Sequence, residues 1–520
     1  MQSFKAALQQ VLSPVIANVK TSTENLTVPG RPPVSKRRFT SLGVEHVIEK
    51  VKTHLEADGK KELGELFETC YPNTLDTTVD HRDDEQGLDT IVVTGDIPAM
   101  WLRDSTNQVA PYIHLARSNP PIRNLLLGLI NRQATCILSS VYSNAFKASV
   151  HQWTPWEKDV VKPAVNALVW EGKYELDSLA AFLKLSNAFY AATGGDDVTF
   201  VTEKWVAAVR VVLETMRVQQ KGSLEEEDPA YRFVRFGNVP TDTLILEGRG
   251  PPAKRCGLVK SPFRPSDDAG TYPFLVPANA MASIEVSKIA IILEHGNAYP
   301  DLASQATTLA SEIKQAIYSH AVFDHPRFGR IFAYEVDGFG NALFMDDANI
   351  PSLLSLPYLG FVSADDQVYQ QTRAFVLSNS NPYYFSGPAG SGVGSPHTGL
   401  GRIWPMAVIM QAMTSSDKKE IEGCLDTIVK SAAGTGYMHE SFQMNNAAKF
   451  TRPWFAWANS LLGELVLQIT GMKIELYAAT GAGKTIEKQV EPQAQEHKEI
   501  DRSVEMSAEE TLVKVGGDPS

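Results

Sequence analysis

A chain of 520 residues, 43% hydrophobic and 21% charged, has the composition of a globular protein and the length to bury a large core. Its formal net charge of −12 implies no basic surface that could release phosphate counterions, which argues against a nucleic-acid partner and favours a neutral ligand. No apolar run approaches the roughly 20 residues of a membrane span.

Residues 1–40 read as an irregular leader. Its start, "MQSFKAALQQVLSPVIANVK", is weakly amphipathic and lacks the continuous apolar segment of a signal peptide, and "PGRPPVSKRR" is Pro-rich and basic. The sequon Asn25-Leu26-Thr27 falls in this leader, and an intracellular location is favoured over secretion with a truncated N-terminus. Residues 41–485 form one long body with no evident linker and no solenoid repeat. Helical periodicity dominates it. In "LDSLAAFLKLSNAFYAATG", Leu179, Phe182, Leu183 and Phe189 share one face, and Gly194 is a natural stop. In "TEKWVAAVRVVLETMRV", Trp205, Val209, Val212, Leu213 and Met216 do the same. "NAMASIEVSKIAIILEHG" is apolar on most sides and reads as a buried helix. "DTIVVTG" and "GRIFAYEV" are the short strand candidates. Helices of this length joined by long Gly/Pro/aromatic loops predict a mostly α helical toroid, with function on the loops at one end.

"AATGAGKT" at 478–485 imitates a phosphate loop, but a helix precedes it and too little chain follows to build the required sheet, so a fraying helix end is expected. From 486 to 520 the chain is polar, acidic and without aromatic residues, the composition of a disordered tail. Cys70, Cys136, Cys256 and Cys424 stand far apart with no CxxC pair, so free buried thiols are expected.

Several loop-like stretches concentrate Trp, carboxylates, Arg and His. "TGDIPAMWLRDSTNQ" carries Asp96, Trp101, Arg103 and Asp104; "VWEGKYELDS" carries Glu171, Glu175 and Asp177; "FRPSDDAGTYPFLVPAN" carries Arg264, Asp267 and Asp268. "MDDANIPSLLSLPYLG" adds Asp346, Asp347 and Asn349, "GVGSPHTGLGRIWPM" adds His397 and Trp404, and "GTGYMHESFQMNNAAKFTRPWFAWANS" adds His439, Glu440, Arg452, Trp454 and Trp457. Taken singly, each has a bland use: Trp101 in the core, Arg103–Asp104 as an ion pair, Asp267 or Asp268 as a helix cap, Glu440 in solvent. Together they fit a sugar site, because sugars offer apolar ring faces to aromatic side chains and hydroxyls to Asp, Asn, Arg and His. Glycosidic cleavage adds the need for two carboxyl groups. Metal is the rival use of so many acids, but adjacent side chains diverge and there is no HExxH or EF-hand loop, so no cofactor or metal is expected.

These stretches, in this order and over residues 60–470, resemble glycoside hydrolase family 125, the exo-acting α-1,6-mannosidases whose fungal branch is called meiotically up-regulated gene 157 protein-like. The resemblance implies an (α/α)6 toroid and metal-free release of non-reducing α-1,6-linked mannose from an oligosaccharide or glycan, with inversion. It implies Asp267 as general acid and Glu440 as general base. It also implies Trp101, Arg103, Asp104, Arg264, Asp268, Asp346, Asp347, Asn349, His397 and Trp454 as sugar contacts. On this reading Asp267 points into the pocket and holds a proton, its pKa raised by burial or by neighbouring carboxylates, while Asp268 points elsewhere. Inversion requires the two catalytic carboxyls to stand about 6.5–9.5 Å apart. Lys260 departs from the pattern and is a candidate for shaping a leaving-group subsite. Two alternatives stay open: another inverting six-hairpin glycosidase with a different sugar, or a carbohydrate-binding protein without catalysis.

Overall fold

The apolar periodicity of the body resolves into helices arranged as two concentric rings. The structure, a computed structural model, describes residues 30–471; the phosphate-loop imitation and the acidic tail lie outside the described residues. Its helices of at least eight residues are α1 (Leu42–Ala57), α2 (Lys61–Cys70), α3 (Leu102–Val109), α4 (Pro120–Ser139), α5 (Leu176–Ala192), α6 (Glu203–Val218), α7 (Val276–Glu294), α8 (Pro300–His320), α9 (Gln367–Val376), α10 (Pro405–Met413), α11 (Lys418–Ser431) and α12 (Ala456–Ile469).

Inside, α10 packs on α12, α12 on α3, α3 on α5 and α5 on α7. The turn segment 346–361 occupies the place between α7 and α10. Gly360 meets Ile284 of α7, and Ala348 bonds the strand end at Gly394 ahead of α10. Outside, α8 covers α7, α4 packs on α6, α11 covers α10 and α2 lies against α12. Position in the rings explains the sequence patterns. The outer α6 buries one face through Trp205, Val209, Val212, Leu213 and Met216. The inner α7 is buried almost all round, which is why its sequence has no polar face. By length and hydropathy α7 could cross a membrane, contrary to the reading of the sequence, yet 78% of its apolar window is buried inside the protein. Gly194, at φ +86°, ends α5 as expected.

Short antiparallel strands collect at one end. One sheet joins Ala99–Trp101, Ala145–Lys147 and Val169–Glu171; another joins Phe274–Leu275, Glu335–Val336 and Ala342–Leu343; a third joins Arg402–Ile403, Ser441–Gln443 and Asn446–Thr451. Each of these sheets leads into the N-terminus of an inner helix, so Trp101, Glu175, Leu275, Trp404 and Phe455 stand at the N-caps of α3, α5, α7, α10 and α12. The unpaired amides of those helix starts make this end favourable for anionic side chains. Ahead of α1, Arg31 pairs with both Glu45 and Asp76 at 2.6 Å, which ties the described part of the leader to the body. All four cysteines are free thiols, three of them buried.

Candidate active site

The helix starts surround a pocket lined by Trp101, Arg103 and Asp104 from α3 and its approach, Pro265, Ser266 and Asp267, and Asn349 and His397. Trp404, Glu440, Arg452 and Phe455, with Thr94 and Ile97 at the rim, complete the wall. A roomier cleft beside α4 is lined by Leu88, Leu127, Ile130, Phe200 and Trp205 and has no carboxylate in its wall, so acid–base chemistry belongs to the first pocket.

Asp267 stands in a cage of donors. Its Oδ1 accepts from Trp101 Nε1, Arg103 Nη2 and Asn144 Nδ2, each at 3.1 Å. Its backbone is left-handed, φ +66°, a conformation Asp tolerates better than most residues, and Lys173 Nζ holds its carbonyl at 2.8 Å. With 29% of its side chain accessible, the carboxyl still reaches the pocket. Arg103 is the hub behind it. Besides Asp267 it pairs with Asp104 at 2.7 Å, Glu175 at 3.1 Å and Asp177 at 3.0 Å, so one buried guanidinium faces four carboxyl groups.

That imbalance reverses one expectation. Burial alone pushes Asp267 up, but Arg103, a hydrogen bond with Glu175, Lys173 and His397 outweigh it and hold the carboxyl at about 2. The raised group is its neighbour. Burial, then Asp267 and Asp177, push Glu175 well above the usual carboxylate range against the pull of Arg103. Of the two neighbouring carboxyls, Glu175 rather than Asp267 is thus the one pushed towards the protonated form.

On another stretch of the pocket lining, Glu440 Oε1 pairs with Arg452 Nε at 3.1 Å, and Arg452 Nη1 reaches Asp96 at 3.2 Å. Arg452 is left-handed at φ +52°, a strained backbone for a long side chain. The loops carrying these groups interlock: a Cβ on Gly95, at φ +116°, would lie 2.1 Å from the Trp454 ring.

Of the ten side chains expected to bind sugar, Trp101, Arg103, Asp104, Asn349 and His397 line the pocket, and the other five stand outside its wall. Arg264 turns back into a buried pair with Glu335 at 2.6 Å. Asp268 lies behind His397, 3.5 Å from Nδ1. Asp346 accepts the amides of Leu353 and Leu354 and shapes the turn segment. Asp347 holds Asn349 through its backbone and side-chain amides and takes the Ser395 hydroxyl, so it positions both Asn349 and the His397 loop. Trp454 packs on Gly95, and Phe455 takes the pocket position beside it. Lys260 is spent on Glu226 and does not reach the pocket. The sequence reading named Arg452, Trp404 and Glu175 in their motifs but assigned them no role in the site. Asn144 lay in a stretch with no distinguishing pattern.

Burial lowers the His397 imidazole, but the hydrogen bond and charge of Asp268, then Glu440 and Asp267, raise it to about 9, so a cation faces the pocket at neutral pH. No cluster of three or more His, Cys, Asp or Glu side chains suited to a metal occurs among the described residues.

The profile of the metal-independent alpha-mannosidases (GH125) matches residues 60–467. The chain is 47% identical over 459 residues to the meiotically up-regulated gene 157 protein of Schizosaccharomyces pombe, covering 86% of this chain and 89% of that protein. It also superposes, at TM-score 0.79 and 39% identity, on a metal-independent alpha mannosidase of Streptococcus pneumoniae solved in a non-productive complex with alpha-1,6-mannobiose; 84% of this chain and all of that one are covered. The ring of helices is thus the (α/α)6 toroid that the sequence implied.

Proposed function

This chain belongs to the GH125 metal-independent α-mannosidases, and from that premise we propose that its pocket releases non-reducing α-1,6-linked mannose with inversion, Asp267 serving as general acid and Glu440 as general base. The observation that carries the assignment is the presence of these two carboxyl groups in one pocket, each with its own arginine, together with Trp101, Trp404 and Phe455 as apolar surface for a sugar ring. In this reading the carboxyl of Asp267 protonates the glycosidic oxygen as the bond to the anomeric carbon breaks. Glu440 takes a proton from a water that attacks the same carbon from the other face. His397, Asp104 and Asn349 supply the polar contacts that hold the sugar hydroxyls, and the α-1,6 linkage is supported by the mannobiose bound to the Streptococcus pneumoniae relative.

The test is hydrolysis of α-1,6-, α-1,2- and α-1,3-linked mannobioses in the presence of a chelator, with the anomer of the product followed by NMR. β-Mannose from the α-1,6 disaccharide alone is the expected result. α-Mannose as first product would overturn inversion, and release from another linkage would overturn the substrate.

A further inference from the structure

Glu175 is 1% exposed and makes no contact with the pocket, yet it is wired to the acid on two sides. Arg103 Nη2 lies 3.1 Å from Glu175 Oε2 and 3.1 Å from Asp267 Oδ1. Asn144 Nδ2 lies 3.1 Å from Glu175 Oε1 and 3.1 Å from Asp267 Oδ1. Two donors thus bridge the two carboxyl groups and fix them side by side. Ser178 Oγ, at 2.8 Å from Glu175 Oε2, locks the remaining freedom.

The surrounding charges do not balance without protons. Arg103 and Asp104 face the pair from α3, Asp177 from α5, Glu171 through Asn144, and Lys173 through the Asp267 carbonyl. Lys173 is already shared with Glu171 and Asp242. Arg103 is the one cation paired with all four carboxyls, Lys173 and His397 add positive charge at Asp267, and Glu175 and Asp177 are closed to water, so the cluster retains a proton at neutral pH. Of the two bridged carboxyls, Glu175 is the one that burial and its neighbours drive to hold a proton.

Resting on the assignment of Asp267 as the acid, we infer that Glu175 is a positioning residue that shares one proton with Asp267, so that the acid stays loaded at neutral pH although an arginine touches it. In turnover that proton passes to the glycosidic oxygen, leaving both groups as carboxylates against Arg103. Glu440 meanwhile gains the proton of the attacking water and returns it to solvent, and solvent reloads the pair. With the partner carboxyl gone, Asp267 beside Arg103 would lose its proton at much lower pH.

The experiment compares wild type, Glu175→Gln and Asp267→Asn on α-1,6-mannobiose and on α-mannosyl fluoride, whose leaving group needs little protonation. The Glu175→Gln enzyme should show the basic limb of kcat/KM on mannobiose displaced to lower pH by about one unit or more, with the fluoride reaction retained. A purely structural role would depress both substrates alike and leave the limb in place, and that result overturns the inference. Should the Gln variant fail to fold, Glu175→Asp withdraws the carboxyl by one methylene: a partial displacement in the same direction supports the sharing, and an unmoved limb overturns it. Turnover of mannobiose by Asp267→Asn would overturn the acid assignment and this inference with it. An unmoved limb with inactive Asp267→Asn overturns this inference alone.

Discussion

The two walls of the pocket carry the same functional group in opposite surroundings. On the acid wall, Asp267 meets Arg103, Asn144 and Trp101 at one oxygen, and Arg103 is itself pinned by carboxyls from the starts of α3 and α5. On the base wall, Glu440 sits between α11 and α12 against a single arginine, whose other partner, Asp96, is 45% exposed. The difference is one of charge economy. In the proposed division of roles, the proton donor Asp267 sits where carboxyls outnumber their shared arginine, and the proton acceptor Glu440 has a single cation to aim it.

The largest effects come from breaking either wall at its proposed catalytic group. Asp267→Asn and Glu440→Gln should each lower kcat on mannobiose by roughly 10²–10⁴-fold, with thermal midpoints near wild type. The walls separate on α-mannosyl fluoride, where Asp267→Asn should recover much of its rate and Glu440→Gln should not. Equal losses for the two variants on the fluoride would erase the distinction between acid and base walls.

The arginines come next. Arg103→Met strands four carboxyls, three of them buried, and should cost about 3–5 kcal/mol of folding free energy, the penalty for breaking a buried pair. Arg452 is 26% exposed and shares its charge between buried Glu440 and the exposed Asp96, so Arg452→Met should cost less, about 1–3 kcal/mol. The rate should nevertheless fall roughly ten- to a hundredfold, because a charged hydrogen bond to the base is worth about 1.5–3 kcal/mol. Urea denaturation beside steady-state kinetics reads both. Similar stability losses in the two variants would mean that the base wall is as tightly wired as the acid wall.

How much of this was legible from the sequence follows from the range of the interactions. Helices announced themselves because periodicity is local: the stripe from Trp205 to Met216 and the unbroken apolarity of α7 report one-sided and all-round burial directly. Motifs marked the right loops for a related reason, since residues flanking an inner-helix start must all be placed near the pocket. Orientation within a motif was not legible. Asp267 and Asp268 are neighbours, but one meets the pocket and the other backs His397; Trp454 and Phe455 divide in the same way between Gly95 and the pocket. The protonation of the acid was furthest from reach. It depends on Arg103 and Asn144, which are 164 and 123 positions from Asp267, and on a carboxyl, Glu175, whose own motif gives no hint of its partner.

The smallest expected effect lies between the walls, at His397. Its imidazolium is stabilised by Asp268 behind it and by Glu440 and Asp267 before it, which raises its pKa from 6.5 to about 9 in the folded protein. A cation whose pKa is raised on folding contributes stability fully below its unfolded value and loses that contribution as pH rises through the folded one. Wild type should therefore lose stability progressively between about pH 6.5 and about pH 9 through this residue, and His397→Gln should flatten that part of the profile. Asp268→Asn removes the largest support of the charge, so the decline should begin and end at lower pH while the imidazole remains. Urea midpoints measured across this window for the three proteins check the sign. A decline that persists unchanged in His397→Gln would place the titrating group elsewhere. Asp268 would then be left with no electrostatic task beyond its bonds to Ser266 and the Arg264 turn.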